Sequence, residues 1–449
     1  MKNNSESCGK KSVEFLLGII KSNSMEIEFV NHASVIFSHK EVQLICDPWL
    51  EGEVFDNGWR HMAPTKFQYS DFERINYIWF SHEHPDHFSP PNIKKIEEKY
   101  RKNITVLYKK TNDRKVVEFL EKLNFKKVVE LEEGKWFDLS DEVQLVCHSF
   151  SHDSWMAIKQ GEHTILNTND CLVNTKELAD DILKITGNIS ILMTQFSYGQ
   201  FEGNSDQPEK RRAAVAKKYN QMDNQLAVFK PSYFIPMASF VYFCHEENYY
   251  MNDSINKIGA VYDYYTAKKN VKPVVLYLED KWNLSEEYKG SEKAIEAWEV
   301  HYQNLVNTPN LVTSKNISIE DLKQSAESYL QQFNEKPNLF KQLKKTAPLR
   351  VYVTDYNKIM ELSFEGVNNS KSKEYDIKIS SEVFSYCMKF GWGFNTTHVN
   401  GRFYHSENGF ANFLKYESLS NSLNHDEEIP SISRRAINKV KRGIKGIFK

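Results

Sequence analysis

Six cysteines in 449 residues, none in a C-x-x-C pair, are too few and too scattered for a disulfide framework. Cys8, Cys46, Cys147, Cys171, Cys244 and Cys387 instead suit a reducing compartment, so a cytoplasmic location is expected. The chain also lacks an apolar run long enough to span a bilayer. Its early apolar stretch, residues 13–20, is short and contains Glu14, so no secretory signal is read there. No internal repeat is visible. Nor is there an excess of charge: 58 basic against 60 acidic side chains leave −2, which argues against a general nucleic-acid binder.

That near-balance hides an asymmetry. Arg434, Arg435, Lys439, Lys441, Arg442, Lys445 and Lys449 give residues 434–449 a charge of +7 without an acid. Ile437, Val440, Ile444 and Ile447 recur among them at three- and four-residue intervals. This suits an amphipathic helix lying on an anionic membrane surface, on the cytoplasmic face. The competing reading is a disordered basic tail, because Gly443 and Gly446 weaken a helix.

A hydrophobic content of 40% and 13% aromatics supply well-packed interiors, and the length exceeds one ordinary core. Residues 1–24 read as a polar leader with a short helix. From 25 to 280, short β-type segments (25–30, 33–37, 42–46, 75–80, 104–108, 127–131, 143–150, 163–167, 233–237 and 274–278) alternate with helical ones (90–100, 115–123 and 207–229). Such traffic predicts a sheet-based α/β core covered by helices. Residues 281–345 read as helical: Ser291 is placed to cap a helix carrying Ile295, Trp298 and Tyr302 on one face, and Ser318 with Asp321 resembles a capping box. A small α+β domain is expected over 346–420, with strands at Val351/Val353, Met360/Leu362/Phe364 and Tyr375/Ile377/Ile379, a helix from Ser380–Ser381 broken at Gly391-Trp392-Gly393, and a last strand over 399–404. Residues 421–449 form a linker and the basic tail.

The densest chemistry lies in Ser81-His82-Glu83-His84-Pro85-Asp86-His87, an H-x-H-x-D-H motif directly after a β-type run. Neutral imidazoles and carboxylates at this density suit zinc, iron or manganese. Further candidates follow at or just past strand ends: Asp47, His152, Asp170 and His245. His148 competes with His152, but it sits within its strand whereas His152 lies in the loop beyond. Four cysteines adjoin these positions (Cys46, Cys147, Cys171 and Cys244) and are expected to pack behind the site, since strand neighbours point to opposite faces. The aromatic groups Trp49/Phe55/Trp59 and Phe240/Tyr242/Phe243/Tyr249/Tyr250 flank the same loops, as core packing or as pocket walls.

Over about residues 25–280 this series resembles the metallo-β-lactamase superfamily. The resemblance implies an αββα sandwich, with the small α+β domain appended. It also implies two divalent ions: His82, His84 and His152 would bind one, Asp86, His87 and His245 the other, Asp170 would bridge them, and Asp47 would orient ligands through hydrogen bonds. His245 lies downstream of the usual place for the last histidine, which is similar to the N-acylphosphatidylethanolamine phospholipase D branch. Asn31-His32-Ala33-Ser34, Asp47-Pro48-Trp49-Leu50, the 165–171 segment and Cys244-His245 look like CMP-N-acetylneuraminate hydroxylases. That resemblance extends to Tyr375-Asp376-Ile377 and Gly391-Trp392-Gly393-Phe394. The sequence departs from it in having no C-x-H followed by C-x-x-H, the motifs a Rieske cluster needs.

The expected activity is binuclear metal-dependent hydrolysis of an ester, lactone or phosphodiester in a small-molecule, sugar-nucleotide or lipid-linked substrate, with hydroxide available near neutral pH. Asp86 or Asp170 would hold the nucleophile, and His32 would hydrogen-bond substrate or serve as a structural strand-end histidine. The alternatives are an iron-dependent oxygenase supplied with electrons by a separate ferredoxin, and a metal-stabilised scaffold without catalysis. For the tail, deletion of the residues after 431 is expected to abolish co-sedimentation with anionic liposomes. Undiminished binding would favour the disordered reading.

Overall fold

The computed structural model describes residues 24–150, 153–307 and 309–424. The leader, His152 and the basic tail lie outside these residues. The described chain divides into two compact units, 24–245 with 249–311 and 246–248 with 312–424.

The first unit is a mixed α/β sandwich. Its strands are β1 (Glu26–Asn31), β2 (Ser34–His39), β3 (Val42–Cys46), β4 (Trp59–His61), β5 (Tyr77–Phe80), β6 (Thr105–Lys109), β7 (Lys127–Leu131) and β8 (Trp136–Asp138). They continue as β9 (Val143–Phe150), β10 (Asp153–Gln160), β11 (His163–Asn169), β12 (Ile191–Gln195), β13 (Tyr233–Met237), β14 (Val241–Phe243), β15 (Lys272–Pro273) and β16 (Lys281–Asn283). One sheet runs β16-β1-β2-β3-β5-β6-β7 and the other β15-β13-β12-β11-β10-β9-β8. Each is half antiparallel and half parallel: β3, β5, β6 and β7 pair in parallel in the first, β11, β12, β13 and β15 in the second.

Alternation sorts the side chains of the first sheet. Ile36, Ile45, Ile78, Phe80, Val106 and Tyr108 join one buried cluster with Ile93 of the Pro90–Lys95 helix and Val116, Val117 and Leu120 of the Lys115–Glu121 helix. The intervening residues Phe37, Leu44, Cys46, Trp79 and Leu107 are equally buried on the opposite face. A strand buried on both faces has no polar alternation, which is why β3 and β5 read as near-continuous apolar runs. The ends of these parallel strands matter most, because open α/β sheets bind ligands beyond their carboxyl edges.

The Ser291–Asn307 helix belongs to the first unit. Its Trp298 is fully buried, stacks on Phe240 with ring centroids 4.0 Å apart, and donates its indole N–H to the Leu276 carbonyl at 3.0 Å. Ser291 does not cap this helix. The helix starts at Ser291 itself, whose Oγ accepts the Val275 N–H.

The second unit holds β17 (Leu349–Val353), β18 (Lys358–Ser363), β19 (Gly366–Asn369), β20 (Ile377–Ile379) and β21 (Tyr404–His405), in the order β19-β18-β17-β20-β21. The Ile319–Asn334 helix begins on Ser318, whose hydroxyl accepts the Asp321 N–H. Fully buried Arg402 is satisfied by Glu247 and Glu382, each at 2.8 Å. Such a charge is tolerated inside only when paired.

Three element expectations are corrected. Residues 274–278 are not a strand: β15 is confined to Lys272–Pro273, and the Val275 and Tyr277 N–H groups go to the side chains of Ser291 and Asp280 instead of a ladder. Residues 399–404 split between the end of the Gly393–Asn400 helix, closed by Gly401 at φ 68°, and the two-residue β21. The helix expected over 90–100 is interrupted where buried Ile96 turns extended, and resumes as Glu98–Arg101. Replacing Trp298 by Ala should cost the first unit about 3–5 kcal/mol, measured by chemical denaturation. A change below about 1 kcal/mol, the range of ordinary surface substitutions, would mean that this helix is not part of the first unit's core.

Candidate metal centre

The site grows from backbone positions at strand ends. His32, Asp47, Asn169 and Ala238 follow or end β1, β3, β11 and β13, and all four adopt positive φ (44°, 40°, 49° and 52°). Asn, Asp and His tolerate this conformation, whereas Ala pays steric strain. Such strain collects where surrounding structure holds a site in shape.

Asp47 is the first anchor. Its carboxylate is fully buried and accepts the Ser81 N–H at 2.8 Å, the Ser81 hydroxyl at 2.7 Å and the Asn169 side-chain amide at 2.6 Å. His87 Nδ1 lies 3.0 Å from the same carboxylate. A carboxylate can only accept, so Nδ1 carries the proton and Nε2 presents its lone pair. The Ser81 hydroxyl is spent on Asp47, so at 3.0 Å it accepts from His82 Nδ1. That leaves His82 Nε2 bare as well. One aspartate therefore sets both tautomers.

The two bare nitrogens face carboxylates. His82 Nε2 is 3.5 Å from Asp153 Oδ1; His87 Nε2 is 3.3 Å from both Asp86 Oδ2 and Asp170 Oδ2. His32 Nε2 is 3.3 Å from Asp86 Oδ2. Three overlapping sets of convergent ligand atoms result: His82/His84/Asp153, His82/His87/Asp170 and His32/Asp86/His87. His82 Nε2, His87 Nε2 and Asp86 Oδ1 are buried without a hydrogen-bond partner. Buried polar atoms are normally satisfied, so lone pairs left bare and converging fit a cation. The donor set, imidazole and carboxylate, fits zinc, iron or manganese.

The local electrostatics separate the two histidines, and only His82 is held neutral without a cation. Burial, followed by the neighbouring His87 and His84, holds His82 well below the usual imidazole range, in the neutral form a ligand needs. Burial would depress His87 too, but Asp86, Asp170 and Asp47 outweigh it and raise His87 well above that range. Burial would raise Asp86, and His87 and His32 overcome it and hold Asp86 well below the carboxylate range. Asp153 is raised, by burial and then by Asp170. These carboxylates repel one another without a cation between them.

The structure thus brings together His82, His84, Asp86, His87 and Asp170, with Asp47 behind them. His32 joins them through Asp86. His245 is fully buried but is not a member of any of the three sets. His152 lies outside the described residues. His148 points elsewhere: it pairs with Glu133 at 3.1 Å and stacks on Trp155. Asp153 was missed by the sequence reading. It stands next to His152 at the start of β10, and a loop with two adjacent ligand types was read for its histidine alone. Cys46, Cys147, Cys171 and Cys244 are buried, and burial pushes the first three thiols up. None belongs to a ligand set.

The aromatic groups back the ligands. Phe55 lies against Trp59 and edge-on to His84; Trp49 stacks on His61 at 3.6 Å and lies edge-on to His32. His61 is held neutral by burial and borders a cavity of about 450 Å³ shared with Arg60, Tyr242, His301 and Asn304.

Residues 26–178 match the Beta-lactamase superfamily domain. The first unit has the metallo-β-lactamase fold, a fold of metal-dependent enzymes. Within it the chain resembles cytidine monophosphate-N-acetylneuraminic acid hydroxylases. It is 24% identical over 259 residues to the Xenopus laevis protein, covering 54% of this chain and 42% of that one. It is 22% identical over 255 residues to the Danio rerio protein, covering 53% and 42%. The matched region thus spans less than half the length of these relatives. Among solved structures, CmlA, a diiron β-hydroxylase from Streptomyces venezuelae, aligns with a TM-score of 0.42 at 16% identity over 58% of this chain and 54% of that one. Igni18, a metallo hydrolase from Ignicoccus hospitalis, aligns at 0.39 and 11% over 59% and 100%. Among the described residues no helix is long and apolar enough to cross a membrane.

Changing Asp47 to Ala should weaken metal binding about 10–100-fold, the usual scale for a ligand-orienting carboxylate. It should also lower stability by about 1–3 kcal/mol, because the buried Ser81 N–H and the Asn169 amide lose their acceptor. Chelator competition and denaturant melts measure the two effects. Wild-type affinity in the variant would contradict the orienting role.

Proposed function

We propose that the first unit is a binuclear metal-dependent hydrolase acting on an ester, lactone or phosphodiester. The observation that carries this reading is the sharing of His82 and His87 between overlapping ligand sets, which supports two adjacent cation positions. His82, His84 and Asp153 would hold one ion, with His152 beside Asp153 in sequence. Asp86 and His87 would hold the second, and Asp170 would lie between them. Two such ions supply a nucleophile at neutral pH and polarise the oxygen of the bond under attack.

The protein's own groups do the rest. Asp86 Oδ1, buried and without a partner, is placed to take a proton from the attacking water. His32 steadies Asp86 through its other oxygen. Hydrolysis adds water across the bond and returns the proton to the leaving oxygen, so no further co-reactant is required. The cavity beside His61 has the volume of a small-molecule site; its lining is largely apolar, with Arg60, Tyr242, His301 and Asn304 as the polar groups that would recognise a sugar-nucleotide or phosphorylated headgroup.

A second reading is favoured by the similarity to hydroxylases. The same residues accept iron, and an oxygenase would draw its electrons from a ferredoxin. Metal analysis of the purified protein separates the two. Two zinc ions per chain, lost together with esterase or phosphodiesterase activity in His84→Ala and Asp86→Ala, is the expected result. Iron with a visible absorption band and O₂ consumption would move the assignment to the oxygenase. Hydrolysis that survives metal loss would overturn the mechanism.

A further inference from the structure

The Pro208–Phe229 helix is unusual in what it buries. Arg211, Lys218, Gln221 and Gln225 all face inward, where an amphipathic helix would place apolar side chains. Arg211 is accounted for by Asp253, at 2.8 and 2.7 Å. Lys218 is not. Among the described residues no carboxylate lies within ion-pair distance of its Nζ, which donates to Gln195 Oε1 and, at 3.5 Å, to Gln221 Oε1. Gln195, the last residue of β12, turns its Nε2 to Asp170 Oδ1 at 3.0 Å.

The order of atoms in this chain is dictated by chemistry. An ammonium group has only donors, so the amide atom facing Lys218 must be the oxygen. The amide nitrogen is thereby committed to Asp170. Without Lys218 the amide could turn over, since its two ends are nearly the same size, and would then present an oxygen to a carboxylate. With the amide fixed, Asp170 Oδ1 is occupied and Oδ2, 3.3 Å from His87 Nε2, is the atom left to the ligand set.

We propose that Lys218 is a positioning residue for the metal centre: acting through Gln195, it locks the Asp170 carboxylate so that Oδ2 alone is presented to the cations. The inference rests on the metal-centre reading above. It accounts for a lysine kept in a place where isolation from water is costly. Burial pushes its ammonium down to about 8, so it still carries its charge at neutral pH.

The test is zinc affinity of the purified full chain, by competition with a chromophoric chelator, in the wild type, Lys218→Met, Gln195→Leu and the double variant. Methionine matches lysine in length and removes a buried charge, and thermal melts of the metal-free proteins establish that each variant folds. Each single variant should bind zinc about 10–100-fold more weakly, and the double variant no more weakly than Gln195→Leu, because both changes cut one path. A cobalt-substituted wild type and Lys218→Met should differ in their visible bands. Wild-type affinity in Lys218→Met overturns the proposal. So does a further loss on adding Lys218→Met to Gln195→Leu, which would show the ammonium acting by charge and not through the amide. Should Lys218→Met fail to fold, Gln195→Leu with undiminished affinity overturns it equally. Absence of zinc binding in the wild type would instead bring down the metal-centre reading itself.

Discussion

One buried carboxylate ties the site together. Among the described residues Asp47 pairs with no lysine or arginine; its oxygens collect hydrogen bonds from the loop after β5 and from the end of β11, in opposite sheets. The same contacts set the tautomers of His82 and His87. An imidazole that has given its Nδ1 proton to a fixed acceptor is a rigid nitrogen donor, and rigidity is what distinguishes a ligand from a nearby histidine. The left-handed backbone at Asp47 aims the carboxylate inward.

The cost of this arrangement is electrostatic. Asp86, Asp153 and Asp170 converge beneath a roof of histidines, and burial makes their mutual repulsion larger than it would be in water. The protein answers in three ways. His87 and His32 hold Asp86 in its charged form, Gln195 donates to Asp170, and Lys109, donating to the Asp153 carbonyl at 2.8 Å, brings a cation to the edge of the cluster. The bare nitrogens that remain are partners a divalent cation would take.

Much of the candidate centre was legible because its side chains are concentrated. His82, His84, Asp86 and His87 lie in one loop, and a strand followed by such a loop admits few other readings. Asp47 and Asp170 were legible because each stands just past a recognisable strand. β3, β7, β9 and β13 fell within their expected bounds; β3 and β13 are buried almost throughout and read as near-continuous apolar runs, whereas β7 and β9 are partly exposed. Asp153, β10 and β12 were not found. β12 is a five-residue run whose Thr and Gln look like loop polarity, and Asp153 was overshadowed by the histidine before it. The polar face of the Pro208–Phe229 helix carried no apolar period to read, and its meaning comes from what stands opposite.

By itself the amino-acid order indicated the α/β sandwich, the loop that concentrates candidate ligands and most of the sheet strands, because these depend on local spacing and on alternation between neighbours. Tertiary structure alone decided which nitrogen of each histidine is bare, that Asp153 faces His82, that His148 turns to Glu133, and that a lysine on a distant helix reaches Asp170 through a glutamine. Those outcomes depend on distances between segments tens of residues apart, which no local pattern encodes.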